Sequence, residues 1–198
     1  MKNYTTIDLE WTSWKNNYFG KYKEFEKRKS WQKKEIIQIG GLKFNNNYKI
    51  KGKLNIIVKP EINKKLSTYI TKLTAITDTT IEKKGLKFSK ALKLLKRFSK
   101  KSFLFSNGTD NSVLKENIKL HKIKSKKVKI LNIKKILEKK YRIPKKYLSS
   151  PLLKSYFGYK INDKTTHNAI HDCYSVFLSM RKMKFDLSII DKKHKCLK

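Results

Sequence analysis

Three strand-length runs follow one another before any helical period begins, and this order limits how the chain can start its fold. Residues 4–10 form the first run and end in acids. Glu35 to Phe44 alternates apolar and polar side chains around a Gly-Gly kink. Asn45-Asn46-Asn47 is a turn signal, and Tyr48 to Val58 carries the third run, which Pro60 ends. These runs predict an antiparallel meander. Helical stretches are expected at 63–72 and 86–100, the second with Phe88, Leu92, Leu95 and Phe98 at helical spacing. Ser102 to Ser106 is a short apolar run of strand length, broken by Asn107-Gly108-Thr109. A helix is expected at 110–121, a short strand at 128–131, and helices at 132–141, 149–157 and 167–183. Strands alternating with helices after a meander predict an α/β chain with a mixed sheet. Residues 13–34, with Trp14, Tyr18, Phe19 and Trp31, read as a long loop or a loop with one helical turn. No internal repeat is visible.

The charge balance then selects the partner. Lys and Arg number 50 against 15 Asp and Glu, a formal charge of +35 on 198 residues. Such a chain attracts polyanions at long range, and each lysine meeting a phosphate releases counterions, so nucleic acid is the expected partner. Only Arg28, Arg97, Arg142 and Arg181 offer the planar fork that reads base edges, which argues against sequence-specific readout. The Lys, Asn and Ile excess also fits an AT-rich genome acting on solvated faces. No apolar run approaches the length of a membrane span, so no membrane association is expected. The segment Met1 to Asp8 lacks an apolar signal core. Cys173 and Cys196 make no disulfide framework and no four-ligand zinc site, consistent with a reducing, cytoplasmic setting. Cys173 reads as a buried apolar filler, and His121 and His194 show no partner pattern. Phe98, Phe103 and Phe105 are expected in the core.

In a chain so poor in acids, their placement is informative. Asp8 and Glu10 lie two apart on a strand and so point to one face. They could be an exposed strand end or half of a cation site. Asp110 follows the fourth strand through a Gly turn, where it could cap the next helix or face a site at the sheet's edge. His167 and Asp172 are five residues apart. That is roughly 500° of helical rotation, so they converge only if His167 lies at or before the helix start. Thr165 and Thr166 are the expected caps.

Taken in order, Asp8-Leu9-Glu10-Trp11-Thr12, Asn107-Gly108-Thr109-Asp110 and His167-Asn168-Ala169-Ile170-His171-Asp172 resemble the DEDDh family of 3′→5′ exonucleases. Glu35-Ile36-Ile37-Gln38-Ile39-Gly40 resembles the family's second strand, and Val58-Lys59-Pro60 the end of its third. Leu73-Thr74-Ala75-Ile76-Thr77 resembles its L-T-G-I-T turn, with Ala75 in place of Gly. The resemblance covers about residues 4–183, and Trp11-Thr12-Ser13-Trp14 leans toward the branch of histone-mRNA-type exonucleases. His171 stands where many members carry an acid.

The resemblance implies an RNase H-like fold with a central mixed five-stranded sheet flanked by helices. The exonuclease domain would span 1–185, with a basic tail at 186–198. It implies that Asp8, Glu10, Asp110 and Asp172 hold two divalent cations, Mg²⁺ or Mn²⁺, which suit an all-carboxylate donor set. His167 would be the general base, and Trp11, Thr12, Leu73 and Ile76 would contact the 3′-terminal nucleotide. The expected reaction is hydrolysis of single-stranded RNA or DNA from the 3′ end to nucleoside 5′-monophosphates. The family also admits a homodimer. A catalytically inactive nucleic-acid-binding module of the same fold is the alternative, and a basic ribosome-associated protein without a site is a third.

Overall fold

The structure, a computed structural model, describes residues 1–14, 29–125, 128–160 and 167–196. Tyr18 and Phe19 of the expected aromatic loop, and the expected caps Thr165 and Thr166, lie outside these residues.

The meander forms as its alternation predicts. Strand β1 (Asn3–Trp11) pairs antiparallel with β2 (Ile36–Asn45), and β2 pairs antiparallel with β3 (Ile50–Lys59). On the far side of β1 lies β5 (Ser102–Ser106), parallel to it. Two further ladders of two residues each close the edges, β4 (Leu86–Lys87) beside β3 and β6 (Leu131–Asn132) beside β5. The sheet therefore has six strands in the order β4-β3-β2-β1-β5-β6 rather than the five expected. The extra strand, β4, is too short to show an alternation of its own. The strand expected at 128–131 pairs only through Leu131 and Asn132.

Helices α1 (Thr68–Thr74), α2 (Asp78–Lys84), α3 (Phe88–Phe98), α4 (Asp110–Leu120), α5 (Lys134–Lys139), α6 (Ser150–Leu153), α7 (Ala169–Lys182) and α8 (Ser188–Cys196) complete the fold. The first begins later than its expected start at 63. The amides of Glu61, Ile62 and Asn63 all donate to the fully buried carboxylate of Glu35, which wraps this stretch into a loop, and Ser67 then caps α1 by accepting from the Ile70 amide. Helix α2, not anticipated, is capped in the same way by Thr77. The segment 186–198, expected as a basic tail, carries α8. Ile190 there is fully buried, and Asp191 accepts hydrogen bonds from Tyr4 and Lys2. A helix whose described residues bury Ile190 among lysines gives little periodicity to read.

The sheet separates two apolar layers. One face packs Tyr4, Leu42, Phe44 and Phe105 against Phe177 and Met180 of α7. The other packs Ile7, Leu9, Ile39 and Ile56 against Phe88, Leu92 and Leu95 of α3 and Leu114 of α4. Phe105 and Cys173 are buried as expected, whereas Phe98 is half-exposed and lies over Gly41 and Gly52. No helix among the described residues is long and apolar enough to cross a membrane.

Candidate metal-dependent nuclease site

Strand register brings the first two acids under α7. Asp8 stands opposite Gly40 and Glu10 opposite Gln38, so both carboxylates lie on the face that α7 covers. The ladder shifts register immediately after Glu10, a bulge of the kind that re-aims side chains beside active sites. Gly40 lets the helix approach: a Cβ there would lie 2.3 Å from the Ala169 carbonyl carbon. Ala169 is itself fully buried. Gln38 completes the seat. Its Oε1 accepts from the Ala169 amide at 3.1 Å, which supplies from β2 the cap that Asn168 does not provide with its own side chain. Its Nε2 donates to Asn55 Oδ1 at 2.9 Å.

The two later acids arrive by separate routes. The ladder between β1 and β5 ends at Thr6 and Phe105, which leaves the Leu9 amide to donate to Asp110 Oδ1 at 3.0 Å. Asp110 opens α4 but does not cap it; Thr109 holds the N-cap position. Asp172 lies in the first turn of α7, and His167 precedes the helix in a left-handed conformation (φ 57°), as convergence with Asp172 requires. Ligating atoms of Glu10, His167 and Asp172 lie within 4.8 Å of one another. Glu10, Asp110 and Asp172 are 8, 4 and 3 % exposed.

The electrostatics follow from this burial. Desolvation, then the Asp172 and Asp110 charges, push Glu10 up to about 9. Desolvation, with Asp110 adding to it, pushes Asp172 up to about 7, against the lowering effect of the Lys154 charge. Asp8 is raised by burial and by Asp110, Asp172 and Glu10, and eased by the Ser150 hydroxyl. Asp110 is raised by burial too, with its bond to the Leu9 amide acting the other way. Burial lowers His167, so its ring is neutral at pH 7 and can accept a proton. Four crowded carboxylates cannot all ionise together without added positive charge. Their hard oxygen donors fit divalent cations of the Mg²⁺ or Mn²⁺ type.

The residues expected to meet substrate are distributed unequally. Trp11 is half-buried at the end of β1, and Leu73 is half-buried in α1. Ile76 helps line a cavity of about 530 Å³ together with Gln38, Asn55, Asn168 and Ala75. Thr12 is 1 % exposed; its hydroxyl donates to the Lys33 carbonyl and accepts from the Glu35 amide. Its side chain thus fastens the strand that follows rather than facing the cleft. Sequence reading missed Gln38, Ser150 and Lys154. Gln38 had a signal, an amide inside the apolar run Ile36 to Leu42, whereas Lys154 is one lysine among many.

The fold and the acidic centre define a nuclease of the RNase H-like class. The exonuclease family model (RNase_T) matches residues 5–177. A 3′-exonuclease solved in a study of 3′-end recognition of the histone mRNA stem-loop is 23 % identical, with a TM-score of 0.72 over 92 % of this chain and 82 % of that one. Cell-death related nuclease 4 (CRN-4) is 16 % identical, with a TM-score of 0.71 over 92 % and 64 %. E. coli Exonuclease I in complex with a dT13 oligonucleotide is 13 % identical, with a TM-score of 0.66 over 98 % of this chain but 43 % of that one. No curated protein matches the chain. It belongs to the exonuclease family.

Proposed function

We propose that this chain uses two divalent cations, Mg²⁺ or Mn²⁺, to remove nucleotides from the 3′ end of single-stranded RNA or DNA as nucleoside 5′-monophosphates. The convergence of Glu10, Asp110 and Asp172 with Asp8 on one face, and His167 beside them, carries this reading. Asp8, Glu10, Asp110 and Asp172 would hold the ions, which supply Lewis acidity at the attacking and leaving oxygens of the displaced phosphate. His167, kept neutral by its partial burial, takes the proton of the attacking water. The Leu9 amide holds the Asp110 carboxylate in place, and Gln38 holds the start of α7.

The cavity beside Gln38 and Asn168 suits the 3′-terminal nucleotide, with Ile76 on its wall and Leu73 of the same turn behind. Trp11 would lie against that nucleotide, and Thr12 acts from beneath through its bonds to Lys33 and Glu35. The charge of +35 draws the strand in. One structural neighbour was solved in a study of histone mRNA recognition and another in complex with a DNA oligonucleotide, which supports strands of either sugar as candidates.

The test incubates the chain with 5′-labelled single-stranded RNA and DNA in Mn²⁺, beside EDTA and Asp8→Ala controls. A ladder shortening from the 3′ end, absent from both controls, is expected. Oligonucleotide that is bound but left intact would replace this reading with that of a binding module.

A further inference from the structure

The stretch from Lys145 to Phe157 is held against the site at several points. It comprises a 3₁₀ turn at Lys145–Tyr147, α6, and a second 3₁₀ turn at Lys154–Phe157. Leu148 and Leu153 are buried in the α7 layer. Asn107, in the loop after β5, donates to the Leu148 carbonyl at 2.9 Å, and the Lys154 amide donates to Ser175 Oγ at 3.2 Å. Ser175 lies three residues beyond Asp172, on the same side of α7. This anchored backbone sets Ser150 and Lys154 beside the acids, where Ser150 counters the rise of the Asp8 pKa and the Lys154 charge that of Asp172.

Its outer face is unusual for so basic a surface. Tyr156 is 42 % exposed and Leu152 39 %. The Tyr156 ring lies 5.3 Å from that of Tyr147 and 5.1 Å from that of Phe157, and Lys146 Nζ sits 4.9 Å over the Tyr147 ring. The cavity assigned to the terminal nucleotide lies on the other flank of the carboxylates, toward Gln38 of β2 and Asn55 of β3. This stretch lies on the β5 side of them, bonded to Asn107, so a strand that reaches that cavity across the carboxylates passes over it. One exposed ring, Tyr156, and the half-buried rings of Tyr147 and Phe157 beside it lie among lysines, and an unpaired strand uses both, a ring face for each base to stack on and a charge for each linkage.

We infer that this stretch is a shelf for the nucleotides upstream of the scissile bond, with bases stacked on Tyr156 and Tyr147 and phosphates paired with Lys146 and Lys154. The inference rests on the exonuclease reading of the site. It makes the enzyme's grip grow with the length of single strand lying on the shelf, without reading sequence.

The test measures KM and kcat of the full chain on oligothymidylates and oligouridylates, from a dinucleotide to an octanucleotide. KM of the unaltered chain is expected to fall as upstream nucleotides are added. In Tyr156→Ala that fall is expected to be blunted by about tenfold, within the range of one lost base stack. Tyr156→Trp restores it, and abasic residues at the upstream positions reproduce the Tyr156→Ala behaviour on the unaltered chain. Lys154→Gln raises KM in a salt-dependent way. Cleavage with the same length dependence in the unaltered chain and Tyr156→Ala would overturn the shelf and leave the exonuclease reading standing. If the unaltered chain cuts neither polymer, that reading fails, and fluorescence anisotropy of the same labelled series decides the shelf by the same length dependence.

Discussion

Gly40 carries the first turn of α7 on a bare Cα, with the backbone of Ala169 seated where a side chain would otherwise stand. The contact sets the height of His167 and Asp172 above Asp8, which is Gly40's partner across the sheet. Gly40→Ala inserts a methyl 2.3 Å from the Ala169 carbonyl carbon and 2.6 Å from the Ile170 nitrogen, both backbone atoms that cannot rotate away. The expected result is a loss of about 1–3 kcal/mol in urea unfolding, typical of overpacking. Exonuclease turnover is expected to fall by about 100-fold, because small displacements of reacting groups cost that much.

Removing one carboxylate should relieve the metal-free protein. Glu10 and Asp172 have raised pKa values in the folded state, so the folded chain binds more protons than the unfolded one between about pH 4 and their folded values of about 9 and 7. Their contribution to stability is therefore present at low pH and declines as pH rises through that window. In EDTA, melting temperature should fall from pH 5.5 to pH 8. Mn²⁺ should raise it more at pH 8 than at pH 5.5. Glu10→Gln should melt about 2–4 °C higher than the unaltered chain in EDTA at pH 8 and respond less to Mn²⁺. Differential scanning calorimetry at the two pH values checks all three.

His167 is expected to act on the proton rather than to build the acidic centre. His167→Gln should lower kcat by about 10²–10⁴-fold, the usual contribution of a positioned base. Mn²⁺ affinity, measured by titration calorimetry, should change far less than in Glu10→Gln. Equal losses of affinity in the two variants would make His167 a ligand instead.

Ala75 ends α1 in a left-handed conformation (φ 58°, ψ 13°), at the position where the DEDDh turn carries Gly. A side chain there costs about 1–2 kcal/mol, partly offset by the greater unfolded-state freedom of Gly. Ala75→Gly should raise the urea midpoint by up to about 1 kcal/mol of stability. Ala75 is exposed on the wall of the cavity, so the same variant reports whether a methyl at that point limits the terminal nucleotide, through KM on a dinucleotide.

Much of this was legible in the order of residues, because local periodicity is a property of near neighbours. Alternation alone puts Asp8 and Glu10 on one face, the meander needs only turns between apolar runs, and five residues of helical rotation require His167 to precede α7. Which partner each group meets is a long-range matter, and tertiary structure decided it. Asp110 turns to β1 because the β5 ladder ends at Thr6 and leaves an amide on β1 to be satisfied. Gln38 caps a helix that begins 131 residues away because α7 crosses β2 at Gly40, two residues further along the same face of that strand. Glu35 reads as the start of a strand, yet it organises the loop after β3, since buried amides there need an acceptor. The chain's own order thus determined which chemistry was available. Backbone groups left unpaired by the sheet, and the bare Gly40 on which α7 rests, decided where that chemistry converged.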